Sequence, residues 1–190
     1  MTKILAITNQ KGGVGKTTTS INLAASLAAA GRRVLLIDLD PQGNATMGSG
    51  VEKTTLTTTV YHLLLGSEEI TSVRILATNG KYDLIPANRD LAGAEIEMVD
   101  LKLRETRLKE SLKDIYNEYD YILLDCPPAL NLLTLNGLCA AHSVMIPMQC
   151  EYYALEGLSD LVNTIKKVRS TFNPSLRIEG LLRTMFDPRN

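Results

Sequence analysis

Cysteine, histidine and long apolar runs are scarce in this 190-residue chain, and so is net charge. Its three cysteines, Cys126, Cys139 and Cys150, are odd in number and lack paired metal-ligand spacing. That excludes a disulfide framework and points to a reducing compartment. Cys126 follows one apolar run and Cys150 ends another, so both are expected to be buried, inert thiols. His62 sits among leucines and His142 precedes an apolar run, neither with a cysteine or carboxylate at ligand spacing. Both are expected to be structural or surface residues, and no Ser-His-Asp arrangement emerges. The first apolar run, Ile4-Leu5-Ala6-Ile7, lacks a cleavage pattern, and no stretch is long enough to span a bilayer. The expectation is a cytosolic protein. Twenty Lys and Arg against 21 Asp and Glu leave a formal charge of -1, so any contact with a polyanion needs a local basic patch.

What remains is a regular alternation of strand and helix patterns. Short apolar runs at 3–8, 33–38, 82–86, 121–125, 143–148 and 177–182 suit strands buried on both faces. Helical spacing covers 16–30, 60–65, 91–99, 104–119, 130–140 and 155–172, with Gly31 stopping the first. Leu108, Leu112, Ile115 and Tyr119 form the apolar stripe of the fourth. Such βα repeats predict an α/β fold: a doubly wound, mostly parallel sheet flanked by helices, with ligands at the strand C-terminal ends. The chain ends just after a strand pattern, 177–182, and is expected to be one domain, 1–190, lacking its C-terminal portion.

The chemistry is concentrated where the first strand breaks into Gln10-Lys11-Gly12-Gly13-Val14-Gly15-Lys16-Thr17-Thr18 and enters a helix. Glycines let backbone N–H groups crowd around anionic oxygens, and the helix presents its positive end. Lys16 reaches the terminal phosphates as a point charge, and the Thr17 hydroxyl is a Mg²⁺ ligand. The strict P-loop pattern has a glycine where Gln10 stands; this chain instead has a second lysine, Lys11, at the start of the turn. Two strand ends supply acids. Asp38-Leu39-Asp40-Pro41-Gln42-Gly43-Asn44 places Asp38 at a buried strand end, as a candidate for the metal, and Asp40 two residues on, to orient the attacking water. Tyr121–Leu124 runs apolar into Asp125-Cys126-Pro127-Pro128, whose carboxylate is the other candidate for Mg²⁺.

With these residues in place the chain resembles the deviant Walker A P-loop NTPases, and within them the ParA/Soj partition ATPases. Gln149-Cys150-Glu151-Tyr152-Tyr153-Ala154-Leu155-Glu156-Gly157-Leu158 and Leu91-Ala92-Gly93-Ala94-Glu95 carry the likeness to the partition branch. The resemblance implies ATP and Mg²⁺ as cofactors and a homodimer in which two ATP-bound subunits face each other. Lys11 then crosses to the partner's phosphates, as an arginine finger does, and Gly12 lies where the two backbones meet. It further implies non-specific DNA binding by the ATP dimer, a ParB-type partner that stimulates slow hydrolysis, and no membrane. Met185 and Asp187 match the segment that borders the base in relatives. The nearest rival is a MinD-like membrane-associated division regulator. A nitrogenase-type iron protein would need bridging cysteines that Cys126, Cys139 and Cys150 do not provide.

Overall fold

The computed structural model describes residues 2–151, 154–187 and 189, with residues 154–156 as backbone only. Tyr152 and Tyr153 of the partition-like segment lie outside the described residues. The strands are β1 (Lys3–Ile7), β2 (Val34–Asp38), β3 (Ile75–Ala77), β4 (Tyr82–Ile85), β5 (Tyr121–Asp125), β6 (Ser143–Gln149) and β7 (Arg177–Thr184). The helices are α1 (Lys16–Ala29), α2 (Asn44–Gly48), α3 (Val60–Leu65), α4 (Ile70–Val73), α5 (Leu91–Glu97), α6 (Arg107–Ser111), α7 (Leu132–Ala140) and α8 (Ala154–Thr171).

The seven strands form one sheet in the order β3-β4-β2-β5-β1-β6-β7. Every pairing is parallel except that of β3 with β4. Side chains alternate across the sheet. Leu5, Ile7, Leu36 and Leu123 point to a layer completed by Ala24 of α1 and Ala45 of α2. Ile4, Leu35, Ile37, Ile122 and Leu124 point to the opposite layer with Leu63, Leu91, Leu108, Leu133 and Leu161. The doubly wound architecture expected from the pattern is therefore present. The edge strand β7 keeps Leu181 and Leu182 exposed (49% and 38%).

Three local expectations differ. β3 adds an antiparallel edge strand where no strand was expected. The helix expected over 104–119 shrinks to α6 and a 3-10 turn at Lys113–Ile115, though its apolar stripe is buried as expected. The break has an identifiable cause in buried Asn136 of α7. Its Nδ2 donates to the Arg104 carbonyl (2.8 Å), and its Oδ1 accepts the Leu108 N–H (3.1 Å). Those two groups would bond each other in a continuous helix, so Asn136 replaces one helical rung. Similarly, Asn131 Oδ1 accepts the Thr134 N–H (3.1 Å) and sets the start of α7 at Leu132 rather than Leu130.

Asn173 closes the other end of α7. Its buried Nδ2 faces three carbonyls, those of Leu138 (3.0 Å), Cys139 (3.2 Å) and Ala141 (2.7 Å). Asn173→Ala is predicted to lower stability by about 1–3 kcal/mol, because it strands buried acceptors. The measurement is a urea midpoint, which should fall at unchanged slope. Asn173→Asp, which also lacks the donor, should do no better.

Candidate functional site

The loop after β1 is held from both sides before it reaches the helix. Asn9, buried, accepts the Lys11 N–H through Oδ1 (3.0 Å) and donates through Nδ2 to the Pro147 carbonyl of β6 (2.8 Å). Thr184, at the end of β7, donates to the Val14 carbonyl (2.9 Å). Gly13 (φ 75°) and Gly15 (φ 85°) adopt left-handed backbone, which strains other residues. Helix α1 begins at Lys16 with no side-chain cap and no acid in its first turn, so its N–H groups are open to an anion. Lys16 is buried, and its Nζ donates to the Lys11 carbonyl (3.0 Å). Burial lowers its pKa, opposed by the negative charges of Asp125 and Asp40. Lys11 extends its own ammonium to Glu151, 2.6 Å away.

The three acids are differently placed. Asp125, 1% exposed, accepts the Ser20 hydroxyl at Oδ1 (2.8 Å). Its other oxygen is buried without a hydrogen bond of normal geometry. Burial raises its pKa to about 6, and the neighbouring Ser20 and Thr17 hydroxyls restrain the rise. Asp38, fully buried, spends both oxygens: Oδ1 accepts the Asp40 N–H (3.1 Å), and Oδ2 accepts the Thr46 N–H and hydroxyl (2.8 Å each). Burial, then the charge of Asp125, raises its pKa to about 7. The carboxylate of Asp38, expected as a metal contact, organises the turn that carries Asp40. Asp40 is only half-buried and uses one oxygen to accept the Gln42 N–H (2.9 Å). Its charge reaches Lys16 and Asp125, which places it at the same mouth.

The remaining expected residues divide. Gly12, Thr17 and Thr18 stand with the loop. Met185 (φ 51°, 62% exposed) and Asp187, paired with Arg189 (2.8 Å), follow Thr184 beside it. Cys126 is buried with its thiol pKa pushed up by burial, but Cys150 is exposed because β6 stops at Gln149 and leaves it in the turn. Both histidines act as backbone acceptors, His62 for Thr59 N–H (3.2 Å) and His142 for Ile4 N–H (3.1 Å). Asn9, Ser20, Thr46, Glu151 and Thr184 were not expected. Of these, Ser20 alone had a local signal, being one helical turn beyond Lys16. A cavity of about 540 Å³ lies elsewhere, lined by leucines such as Leu130, Leu135 and Leu138 together with Glu95, Arg104 and Glu105. The phosphate loop is recognised by its donors rather than by enclosed volume.

The site suits a phosphate chain with a divalent cation. A buried carboxylate oxygen without a donor, beside the Thr17 hydroxyl, matches the oxygen ligands such a cation takes. Fold and loop together define a P-loop ATPase. A family model described as an AAA domain matches residues 2–178. The sporulation initiation inhibitor protein Soj of Bacillus subtilis is 56% identical over 189 residues, 100% of this chain and 75% of Soj. The chromosome partitioning protein ParA of Caulobacter vibrioides is 50% identical over 190 residues, 99% of this chain and 71% of that protein. Among solved structures, a cobyrinic acid a,c-diamide synthase from Mycobacterium smegmatis with bound ATP analog and magnesium superposes with TM-score 0.97. It is 44% identical, covering 100% of this chain and 78% of that one. A plasmid partition protein from Borrelia burgdorferi gives TM-score 0.83 at 33% identity, over 100% of this chain and 82% of its own. The chain belongs to the ParA/Soj family of P-loop ATPases.

The buried acids make a pH prediction. Asp125 binds its proton with a pKa of about 6 in the fold, against ~3.9 in an unfolded chain. Between those values the fold holds more protons than the unfolded chain, so stability falls as pH rises through about 6. Asp38 acts with the same sign up to about 7; His142, whose pKa burial lowers, acts with the opposite sign. Asp125→Asn isolates one contribution. It is predicted to stabilise the nucleotide-free protein by roughly 1–3 kcal/mol at pH 8 relative to pH 4. Urea midpoints of both proteins at the two pH values measure it; equal differences would remove the assigned proton.

Proposed function

We propose that this ATPase is an ATP-dependent dimerisation switch of the DNA-partition kind. The observation that carries the reading is Gly12. Its φ is not left-handed, and a Cβ built on it would meet nothing within 4 Å. No other residue of the protomer crowds that position, whereas a second backbone closing over the loop would require a glycine there. Lys11, on the same turn, is exposed enough to exchange Glu151 for a partner's phosphates, since a surface ion pair costs at most ~1 kcal/mol to break.

In this reading the loop N–H groups and Lys16 bind the phosphates of ATP, as the ATP analog and magnesium bound by the M. smegmatis neighbour support. Thr17 and Asp125 would hold Mg²⁺, which when bound neutralises charge on the β and γ phosphates. Asp40 positions water through its uncommitted oxygen, and Asp38 holds Asp40 in place. Lys11 of each subunit offsets charge developing on the other's nucleotide, and the rate stays slow until a ParB-type protein intervenes. Met185 and Asp187 border the base. Among the described residues no helix is long and apolar enough to cross a membrane, and the ATP dimer is proposed to bind DNA on the nucleoid. Residues 1–190 act as one ATPase domain, and the exposed leucines of β7 are the surface that further chain, present in the longer relatives, would cover.

The partition reading follows the curated relatives, which are closer in sequence (50–56%) than the synthase (44%). Three variants test it by co-sedimentation with DNA and by hydrolysis. Lys16→Ala should lose nucleotide binding. Asp40→Ala should bind ATP, dimerise and stay on DNA while hydrolysis drops at least ~100-fold. Gly12→Val should bind ATP as a monomer and leave DNA. A Gly12→Val protein that dimerises normally would defeat the switch; ATP-dependent recruitment to anionic liposomes in place of DNA would favour the membrane-associated branch.

A further inference from the structure

The cavity of about 540 Å³ that lies apart from the phosphate loop is walled by α5, the segment entering α6, α7 and α8. Its volume is that of a site for a small ligand or a few inserted side chains. Leu132, Leu135 and Leu138 of α7 make the apolar wall, and the apolar surface continues outside it. Ile96 (78% exposed), Val99, Leu103 (68% exposed) and Leu130 stand in solvent on the same segments. Leu103 has φ 56°, a left-handed backbone that branched side chains rarely adopt. It is pinned there, its carbonyl accepting both the N–H (2.9 Å) and the hydroxyl (3.2 Å) of Thr106. The fold thus holds a leucine in strained backbone with its side chain in water.

Charge selects the occupant. Residues 95–105 carry four carboxylates against two cations. Glu97 accepts the Tyr61 hydroxyl (2.9 Å), and Glu105 is paired with Arg104 (3.1 Å), which also donates to the Val99 carbonyl. Glu95, on the cavity wall, differs: its Oε1 is buried without a hydrogen-bond partner among the described residues. A buried carboxylate oxygen without a donor is costly, and a cation arriving from outside would satisfy it. The same carboxylates oppose phosphates, which argues against nucleic acid and against an anionic membrane. Further chain leaving β7 would start at the sheet edge remote from α5, which lies between β4 and β5 in the chain.

We propose that this cavity is the docking site of a short amphipathic segment of a partner protein. Its aliphatic side chains lie on the α7 leucines, Ile96 and Leu103, and one Lys or Arg bonds Glu95 Oε1. The site is joined to the chemistry through residues 126–131, which lead from Asp125 into α7. Two cavity residues set that turn. Asn131 Oδ1 accepts the Thr134 N–H (3.1 Å), and the Thr134 hydroxyl donates to the Ala129 carbonyl (2.6 Å). An occupant therefore bears on the turn that follows Asp125 and alters the rate of ATP hydrolysis. That consequence rests on the switch reading above; docking itself does not.

The probes are fluorescein-labelled peptides of about ten Leu, Ile and Ala residues with one Arg or Lys at each position in turn, beside norleucine controls. Anisotropy reads their binding to the full-length protein with ATP. Some cationic peptides should bind, and their norleucine counterparts at least ~10-fold more weakly. Glu95→Gln should lose about the same ~10-fold towards the cationic peptides and nothing towards the controls, a non-additive pair. Ile96→Ser and Leu103→Asn, at exposed positions where asparagine tolerates the left-handed backbone, should weaken both sets. Hydrolysis without peptide should stay at the wild-type rate in all three variants, and bound peptide should change it in the wild type. Failure of every cationic peptide to bind would overturn the site and leave the ATP switch standing. Wild-type binding by Glu95→Gln would overturn the pairing on which the occupant was chosen. Equal binding of free argininamide would give the cavity to a small amine and overturn a peptide surface. Binding with unchanged hydrolysis would overturn the link to Asp125. A full-length protein that hydrolyses no ATP would defeat the switch reading, with peptide binding still deciding the site.

Discussion

Two carboxylates stand side by side at the ends of adjacent strands: Asp38 and Asp125 are register partners on β2 and β5, both almost wholly buried. Ionised together in a dry site they would repel strongly, and each alone would cost several kcal/mol in lost hydration. The protein resolves this asymmetrically. Asp38 receives a complete set of donors from Thr46 and the Asp40 N–H. Thr46 in turn accepts the Ala87 N–H (2.9 Å), which ties the turn after β2 to the one after β4. Asp125 receives only the Ser20 hydroxyl firmly and keeps one oxygen without a donor. The half-satisfied member points to the place where positive charge is wanted, and Lys16 is already near enough for the two charges to interact. A divalent cation there would relieve the residual penalty, so ligand affinity is bound up with the cost of building the site.

The phosphate loop depends on strands that follow it by well over a hundred residues. Asn9 fastens its entry to β6 and Thr184 fastens its middle to β7. Between them the loop's own glycines supply only the permissive backbone. The Lys16 ammonium rests on the Lys11 carbonyl, and the Lys11 ammonium rests on Glu151. The two lysines are thus linked through one residue's backbone. Drawing Lys16 to a phosphate removes a bond that holds the turn carrying Lys11.

What the sequence could reveal follows from the range of each interaction. Strand and helix patterns are local, so the alternation, the loop and the positions of Asp40 and Asp125 at the ends of their strands were legible. The replaced rung at the start of α6 was not, because Asn136 is 28 residues from the N–H it accepts. The hydrogen bonds of Asp38 were not legible, because a strand-end carboxylate looks the same whether or not its oxygens are taken. Thr46, which takes two of those bonds, lies eight residues on inside an unremarked short helix. Cys150 read as buried because one residue beyond a strand end decides its exposure.

The phosphate loop lies at the C-terminal edge of the sheet, while α8 runs back to the opposite edge between the parallel strands β6 and β7. In the proposed reading, where the nucleotide governs DNA binding, the coupling between the two needs a physical source. A relay through α8 would need two discrete arrangements of that helix, and its buried stripe is packed in one. Valence requires no such relay. In that reading one protomer would offer a few DNA-backbone contacts, each screened by salt and weak alone. A dimer formed over two nucleotides would double them, and the second set would engage at high effective concentration once the first is bound. The nucleotide would then control DNA affinity by counting protomers, and Gly12, with no steric neighbour of its own, would be the residue on which the proposed count depends.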